Sequence, residues 1–391
     1  MKFSSPLLRS AVYAVFVGGS VIAQADTTYS VTDLGTLGAG QSLGRGLNGF
    51  GQVTGFADTN LGTTRAFVYS AGVMTGIGSL GGRVSQGTAI SLSGQVTGFS
   101  EIAVGSSTQH AFKYSSGSMS DLGTLGGTHS VGWGINSAGQ VTGVANVASG
   151  SNHAFLHSGG VMFDLGTLGG SESYGLGIND SAQVAGYSSI DAPGPPVQHA
   201  FLYTAGLMLD IGALGGPSWN SQGLAINGLG QVTGISETGV GGGQHAFFYS
   251  GGTMLGLSTL GGDISAGMAI NNVGQVVGYS YLAANLVQHG FLYSGGIMLD
   301  LSTSLDPVSG AGWVVTEATG INDAGLIVAN GFKAGVGNRA LLLTPVPEPS
   351  SYVLMASGLA VMAFIARRRR RDDSRAPVRV TGFDAGSGAD R

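Results

Sequence analysis

One phrase of about 44 residues recurs seven times between Asp26 and Pro345, and such an array folds as one body rather than as the two or three domains its length allows. The clearest copy runs Asp164-Leu165-Gly166-Thr167-Leu168-Gly169-Gly170, then Ser173-Tyr174-Gly175, Ile178-Asn179, Gln183-Val184-Ala185-Gly186 and His199-Ala200-Phe201-Leu202-Tyr203. Glycine supplies 72 of 391 residues. It follows no three-residue period, and 43% of the chain is hydrophobic, which argues against collagen and against simple disorder. Residues 26–345 carry 6 Lys and Arg against 16 Asp and Glu, a net charge of −10 (6 − 16) that repels a phosphate backbone, so nucleic acid is not an expected partner.

Within each copy, runs such as Gln231-Val232-Thr233-Gly234, Ala246-Phe247-Phe248-Tyr249 and Thr253-Met254-Leu255-Gly256 are rich in β-branched and aromatic residues and read as short strands. The turns put Asn first and Gly last, at 136–139, 227–230 and 271–274, as a type I turn closing into a left-handed residue requires. A second turn follows each Phe-x-Tyr strand, at 250–252 and 294–296, and no sustained helical period occurs inside the body. Four strands per copy, with equivalent positions 43 to 51 residues apart, match the size of a β-propeller blade. The expected fold is therefore all-β: a seven-bladed propeller of four-stranded blades spanning 26–345. The body opens with Tyr29-Ser30-Val31-Thr32-Asp33-Leu34-Gly35, the outer half of the phrase, and closes with Arg339-Ala340-Leu341-Leu342-Leu343, which corresponds to the Ala-Phe strand. Joined, they complete one blade from both termini and leave no open repeat to cap. The alternative is a β-solenoid, which needs caps at both ends and shorter rungs.

His110, His153, His199 and His245 each begin a His-Ala-Phe triplet, and on those residues the body resembles the HAF-repeat family of extracellular repeat proteins. The first and last copies depart from the triplet with Arg65-Ala66-Phe67 and Arg339-Ala340-Leu341, and the sixth has His289-Gly290-Phe291. The resemblance implies a place outside the cell and brings no catalytic activity with it.

The chain ends read as processing segments. Residues 1–25 carry Lys2 and Arg9, an apolar run over 11–22, and Ala23 and Ala25 at the two positions a signal peptidase reads, so a secretory signal peptide cut after Ala25 is expected. The other reading, an N-terminal anchor, is disfavoured because the apolar run is short for a span. The chain has no cysteine, so the exported protein is held by packing and hydrogen bonds alone. Near the other end stand Val346, Pro347, Glu348 and Pro349, an apolar run over 352–366, and Arg367, Arg368, Arg369, Arg370 and Arg371, a transmembrane helix whose arginines stop it with the preceding domain outside. Those 15 apolar residues rise about 22 Å as a helix, against a hydrocarbon core of roughly 30 Å, which suits a temporary hold. This order resembles the PEP-CTERM protein-sorting signal over 346–371. It implies recognition by an exosortase, transient anchoring in the inner membrane, and release to the cell surface or the extracellular matrix. Residues 372–391 extend past the point where such signals usually stop and read as a disordered tail.

Candidate chemistry is periodic. Five histidines at one repeat position (110, 153, 199, 245, 289) lie too far apart in neighbouring blades to share one ion, and are expected to bond a neighbouring loop backbone, with Arg65 and Arg339 substituting as donors. Asp33, Asp121, Asp164, Asp210 and Asp300 recur before Leu-Gly and are expected to accept turn N–H bonds, since a catalytic carboxylate should occur once or as one close pair. The periodic serines, from Ser42 to Ser265, have no nucleophile elbow around them. No cofactor or metal is expected. The copies differ most in insertions at 101–108, 189–197, 237–243 and 282–287, all between the Gln-Val and Ala-Phe strands and so expected on one face; Glu101, Asp191 and Glu237 are their candidate ligand residues. Trp133, Trp219 and Trp313 could stack on sugar rings, although a lone Trp per blade is commonly core. The expected function is that of a non-enzymatic exported protein that binds exopolysaccharide or other envelope proteins. A glycan-active propeller lyase or hydrolase is the alternative.

Overall fold

The computed structural model describes residues 27–191 and 195–346. The expected signal peptide with Ala23 and Ala25, Pro193, the sorting segment from Pro347 to Arg371 and the tail at 372–391 lie outside them. Seven four-stranded antiparallel sheets follow one another, the fifth and sixth joined by a single parallel bridge from Gln244 to Ile264. The third is representative: Gly126–Ile135 innermost, then Val141–Val147, Asn152–Ser158 and Val161–Asp164 at the outer edge. Each innermost strand packs on the next around a closed ring, so the fold is all-β and propeller-like.

The seventh sheet takes Trp313–Ile321, Ile327–Lys333 and Gly337–Val346 from the end of the array and Thr28–Asp33 from its start. Thr28 pairs with Val346 and Asp33 with Leu341, in unbroken antiparallel register. Two kinds of connection then sort to opposite faces. Second-to-third-strand loops, including the insertions, share one face with the connections that lead to the next sheet; the Asn-first turns and the outer hairpin turns share the other. Turn glycines Gly139, Gly230 and Gly274 have φ of 74°, 76° and 80°, the left-handed conformation that ends these turns.

Between sheets, a phenylalanine from the third strand of each of the first six sheets is fully buried, Phe67, Phe112, Phe155, Phe201, Phe247 and Phe291, with Leu341 in the same place in the seventh. Full burial of such a ring stabilises by about 2–3 kcal/mol relative to exposure. The periodic serines sit beside them at the seams. Ser130 is 1% exposed; its hydroxyl donates to Gly123 O at 2.5 Å and accepts the Ala111 N–H at 2.8 Å. The same pair of bonds recurs at Ser42, Ser85, Ser173, Ser221 and Ser265, so each of these hydroxyls joins two sheets.

The aspartates behave as expected: Asp121, Asp164 and Asp210 each accept a turn N–H two residues on, at 2.7–2.8 Å. The histidines correct the expectation. His110, His153, His199 and His289 bond through Nδ1 to Asp121, Asp164, Asp210 and Asp300 of their own sheet, at 2.7–2.8 Å, rather than to a loop backbone. Phe112 pairs with Asp121, and His110, two residues earlier, falls on the same side of the pleat within reach of the carboxylate. Where Gly256 stands in place of the aspartate, His245 has no such partner, and burial pushes its imidazole below the ordinary value. The two arginines do take backbone carbonyls, Arg65 that of Arg83 and Arg339 that of Gly40.

A belt of buried asparagines runs around the turn end of the inner strands. Nδ2 of Asn48, Asn136, Asn179, Asn227, Asn271 and Asn322 each donates to the backbone carbonyl of the equivalent residue in the next sheet, at 2.9–3.2 Å, and the last bond, Asn322 to Asn48, closes the circle. The first five also donate to the Gln four residues on, at 2.7–2.8 Å. One copy breaks the belt. Ser91 has no amide to donate, and Oε1 of its neighbour Gln95 is left buried without a partner.

Ser91→Asn is therefore expected to stabilise the fold by about 1–2 kcal/mol, the scale of satisfying a buried acceptor, read as a higher denaturant midpoint at unchanged slope. A lower midpoint would show that the belt does not set seam strength. A second expectation concerns acid. Burial pushes the Asp210 carboxyl up, but the His199 bond, the Gly212 N–H and the His199 charge outweigh it and hold the group below its ordinary 3.8. A depressed carboxylate stabilises above its unfolded value and loses that contribution as pH falls through the folded one. Asp210→Asn should lower the melting temperature at about pH 7 by a margin that is smaller near pH 3. A gap of constant size across that range would exclude the carboxylate charge as its cause.

Candidate functional site

Every inner strand carries a β-bulge at one repeat position. In the first sheet Gly44 pairs with Gly55 and Gly46 with Thr54, leaving Arg45 as the extra residue. The same slip isolates Thr88, Trp133, Leu176, Leu224, Met268 and Thr319. In the first six sheets the facing strand accommodates it by having no side chain there: a Cβ on Gly55 would run into the Leu43 carbonyl oxygen, and one on Gly143 into that of Val131, while the seventh has Ala329 at this place. All seven bulge residues line one central cavity of about 630 Å³, a size common for small-ligand sites.

The repeat context around the bulge is nearly constant, Gly-x-Gly or Gly-x-Ala followed by Ile in most copies, while x itself varies. Its chemistry is uneven around the ring. Arg45 lies 4.0 Å from Glu317 and 5.9 Å over the Phe56 ring. Glu317 also accepts a bond from Asn330 at 2.8 Å. The Trp133 indole is 38% exposed to the cavity, so unlike the buried Trp313 it is not core. Thr88 and Thr319 turn their hydroxyls to the Gly132 and Gly44 carbonyls of the next sheet.

Tyr174 and Tyr187 extend the lining. Their rings stack 4.6 Å apart at 14°, and Asn152 donates to the Tyr174 hydroxyl at 2.8 Å. Burial, then the neighbouring Tyr174 and Glu172, push the Tyr187 phenol up to about 12, so it stays a neutral hydrogen-bond donor near neutral pH. Gln222 contributes a carboxamide and, with Leu224, also borders a second cavity of about 280 Å³ beside Glu237 and Tyr279. The arrangement offers a flat indole, phenols, an amide and one partly neutralised cation: groups that hold a polar ring with apolar faces.

The candidate loop residues lie elsewhere, on three different sheets. Glu101 accepts the Arg83 and Val84 N–H groups at 2.8 and 3.1 Å, and Glu237 accepts the Asn220 N–H at 2.8 Å, so both carboxylates hold the connection entering their sheet. Asp191 follows the strand Val184–Ile190. Val346, first residue of the expected sorting segment, ends the last strand. Trp219 is half-buried in a connection, against Gly215. Among the described residues no group of three or more His, Asp or Glu is placed to hold a metal ion, and no helix is long and apolar enough to cross a membrane. Arg45, Tyr174, Tyr187 and Gln222 were missed by sequence reasoning. Aligning the seven copies on Gly-x-Gly-Ile-Asn marks the bulge position as the variable one, but the tyrosines carry no such signal.

Residues 345–371 match the PEP-CTERM protein-sorting motif, which implies export and exosortase processing. No curated protein matches the chain. Among solved structures, TolB from Acinetobacter baumannii is similar at 10% identity over 77% of this chain and 65% of that one, with a TM-score of 0.43. Porphyromonas gingivalis dipeptidyl peptidase 4 is similar at 11% identity over 79% and 53%, with a TM-score of 0.44. Aleuria aurantia lectin, a fungal lectin with a six-bladed β-propeller fold, is similar at 13% identity over 82% and 97%, with a TM-score of 0.29. The chain thus spans less than two thirds of the first two. The strand order and the motif match establish together a propeller-like all-β protein that carries a PEP-CTERM sorting signal.

Proposed function

We propose that this chain is a seven-bladed propeller of HAF-type repeats, held briefly in the inner membrane and then released to the cell surface or matrix, where it binds exopolysaccharide without turning it over. The observation that carries the binding reading is the bulge ring. Seven otherwise uniform strands present seven side chains to one cavity, and the polar and aromatic ones, Arg45 and Trp133 with Tyr174, Tyr187 and Gln222, are the types that stack on a sugar ring and bond its hydroxyls. In support of a non-catalytic role, the periodic serines and aspartates, with Glu101 and Glu237, are engaged in backbone hydrogen bonds. The insertion loops, with Asp191, supply a second surface for the same polymer or for envelope proteins.

The test is saturable binding of purified full-length chain to neutral and uronic-acid exopolysaccharides, with reducing ends and unsaturated products monitored in parallel. Trp133→Ala and Arg45→Ala are each expected to weaken binding about tenfold, or roughly 1.4 kcal/mol, with little change in melting temperature. Unchanged affinity in both variants would remove the cavity from the reading. Product formation that disappears in Glu237→Gln would establish the alternative, a glycan lyase or hydrolase.

A further inference from the structure

Both ends of the ring leave from the same face. Thr28 pairs with Val346, and Pro345 lies beside Gly325 in an Asn-first turn, so the sorting motif over 345–371 begins on the turn face, opposite the insertion loops. From Val346 to the apolar run at Tyr352 is six residues, a reach of about 20 Å even when fully extended. A chain held in a bilayer by that run keeps its turn face close to the lipid surface.

That face has the composition for contact. Phe50, Val73, Leu207, Leu229, Val273 and Ile297 stand at its turn tips with 55–76% of their surface exposed. Its turns hold no Lys or Arg. Of the fifteen Asp and Glu between Thr28 and Val346, Asp306 reaches this end of the seventh sheet through its N–H bond to the Tyr29 carbonyl, and only Asp180 and Asp323 sit in the turns. Each is already bonded to the neighbouring turn, Asp180 to the Ser137 N–H at 2.8 Å and Asp323 to the Asn272 N–H at 2.8 Å. The loop face also has apolar tips, Leu61 and Val240 among them, but it carries most of the carboxylates, which an anionic leaflet repels.

We propose that the turn face is a membrane-docking surface: in the precursor its apolar tips rest in the headgroup region of the lipid bilayer, with the insertion loops pointing away from it. The proposal uses the sorting motif and is independent of what the cavity binds. Contact of this kind needs only a modest apolar area because the tether removes most of the translational cost of binding. Exosortase cleavage then severs the tether and leaves the turn tips alone to hold the surface, so release follows.

The chain has no cysteine, so single thiols report cleanly. Full-length Ser118→Cys, on the turn face, and Ser107→Cys, on the loop face, would be labelled with bimane and reconstituted into phosphatidylcholine–phosphatidylglycerol vesicles containing headgroup spin-labelled lipid. Quenching at 118 is expected to exceed that at 107 by about threefold or more, and to fall toward the 107 level when Phe50, Leu229 and Val273 are all replaced by Ser. Equal quenching at the two sites, or stronger quenching at 107, would overturn the orientation. Quenching at 118 that survives the triple replacement would leave the tether responsible and overturn the docking surface. Self-quenching between copies at 118 without lipid quenching would identify the occupant as a second ring and overturn it likewise.

Discussion

Six registered backbone pairs between Thr28–Asp33 and Gly337–Val346 join the two ends of the array, and the seventh sheet of the ring is completed through them. Strands from the two ends of the array supply the seventh sheet jointly, so the first and sixth sheets each find a neighbour. The Asn322–Asn48, Ser42–Ala340 and Thr319–Gly44 bonds seal the same closure directly between the C-terminal strands and the first sheet. A cysteine-free chain has no covalent means of closing such a circle. It closes through a strand, whose hydrogen bonds form together or not at all.

Closure also explains how the polar residues divide. Serine hydroxyls seal the seams, asparagine amides form the belt at the turn end, and His–Asp pairs fasten the outer strands near the loop end. These groups are repeated because the seams are repeated. The serine hydroxyls and asparagine amides are satisfied in place, with little capacity left for a ligand, whereas the buried His199 Nε2 has no hydrogen-bond partner among the described residues. The bulge residues differ in kind: the ladder skips them and, although Thr88 and Thr319 still bond the next sheet, their identity varies from Arg45 to Met268. A protein that must keep seven sheets alike and still present an asymmetric surface has few positions where this is possible, and the cavity collects one from each sheet.

Much of this was readable in the residues. The four-strand phrase, the Asn-first turns and the split seventh sheet follow from the spacing of Gln-Val, Ala-Phe and Gly-Gly steps, and the aspartates take turn N–H bonds as their place before Leu-Gly implies. The histidine partner was misread because His110 and Asp121 are eleven residues apart in sequence, and only the hairpin register brings them within 2.8 Å. The bulge was invisible for a similar reason. Gly-x-Gly looks like any glycine-rich strand until the facing Gly55 is seen pressed against the Leu43 carbonyl. The roles of Glu101 and Glu237 depend on the arriving connection, whose position no single-strand pattern encodes.

The amino-acid sequence alone determined the number and kind of sheets, the split closing sheet and the sorting motif, because local periodicity and turn chemistry are written in consecutive residues. The tertiary structure alone decided which side chains meet. It turned seven bulges toward one cavity, joined histidine to aspartate, and set both chain ends on the face opposite the insertion loops. The reason is geometric: these relations arise when strands far apart in sequence are wrapped into a ring, and direction around a ring is a property of the whole circle.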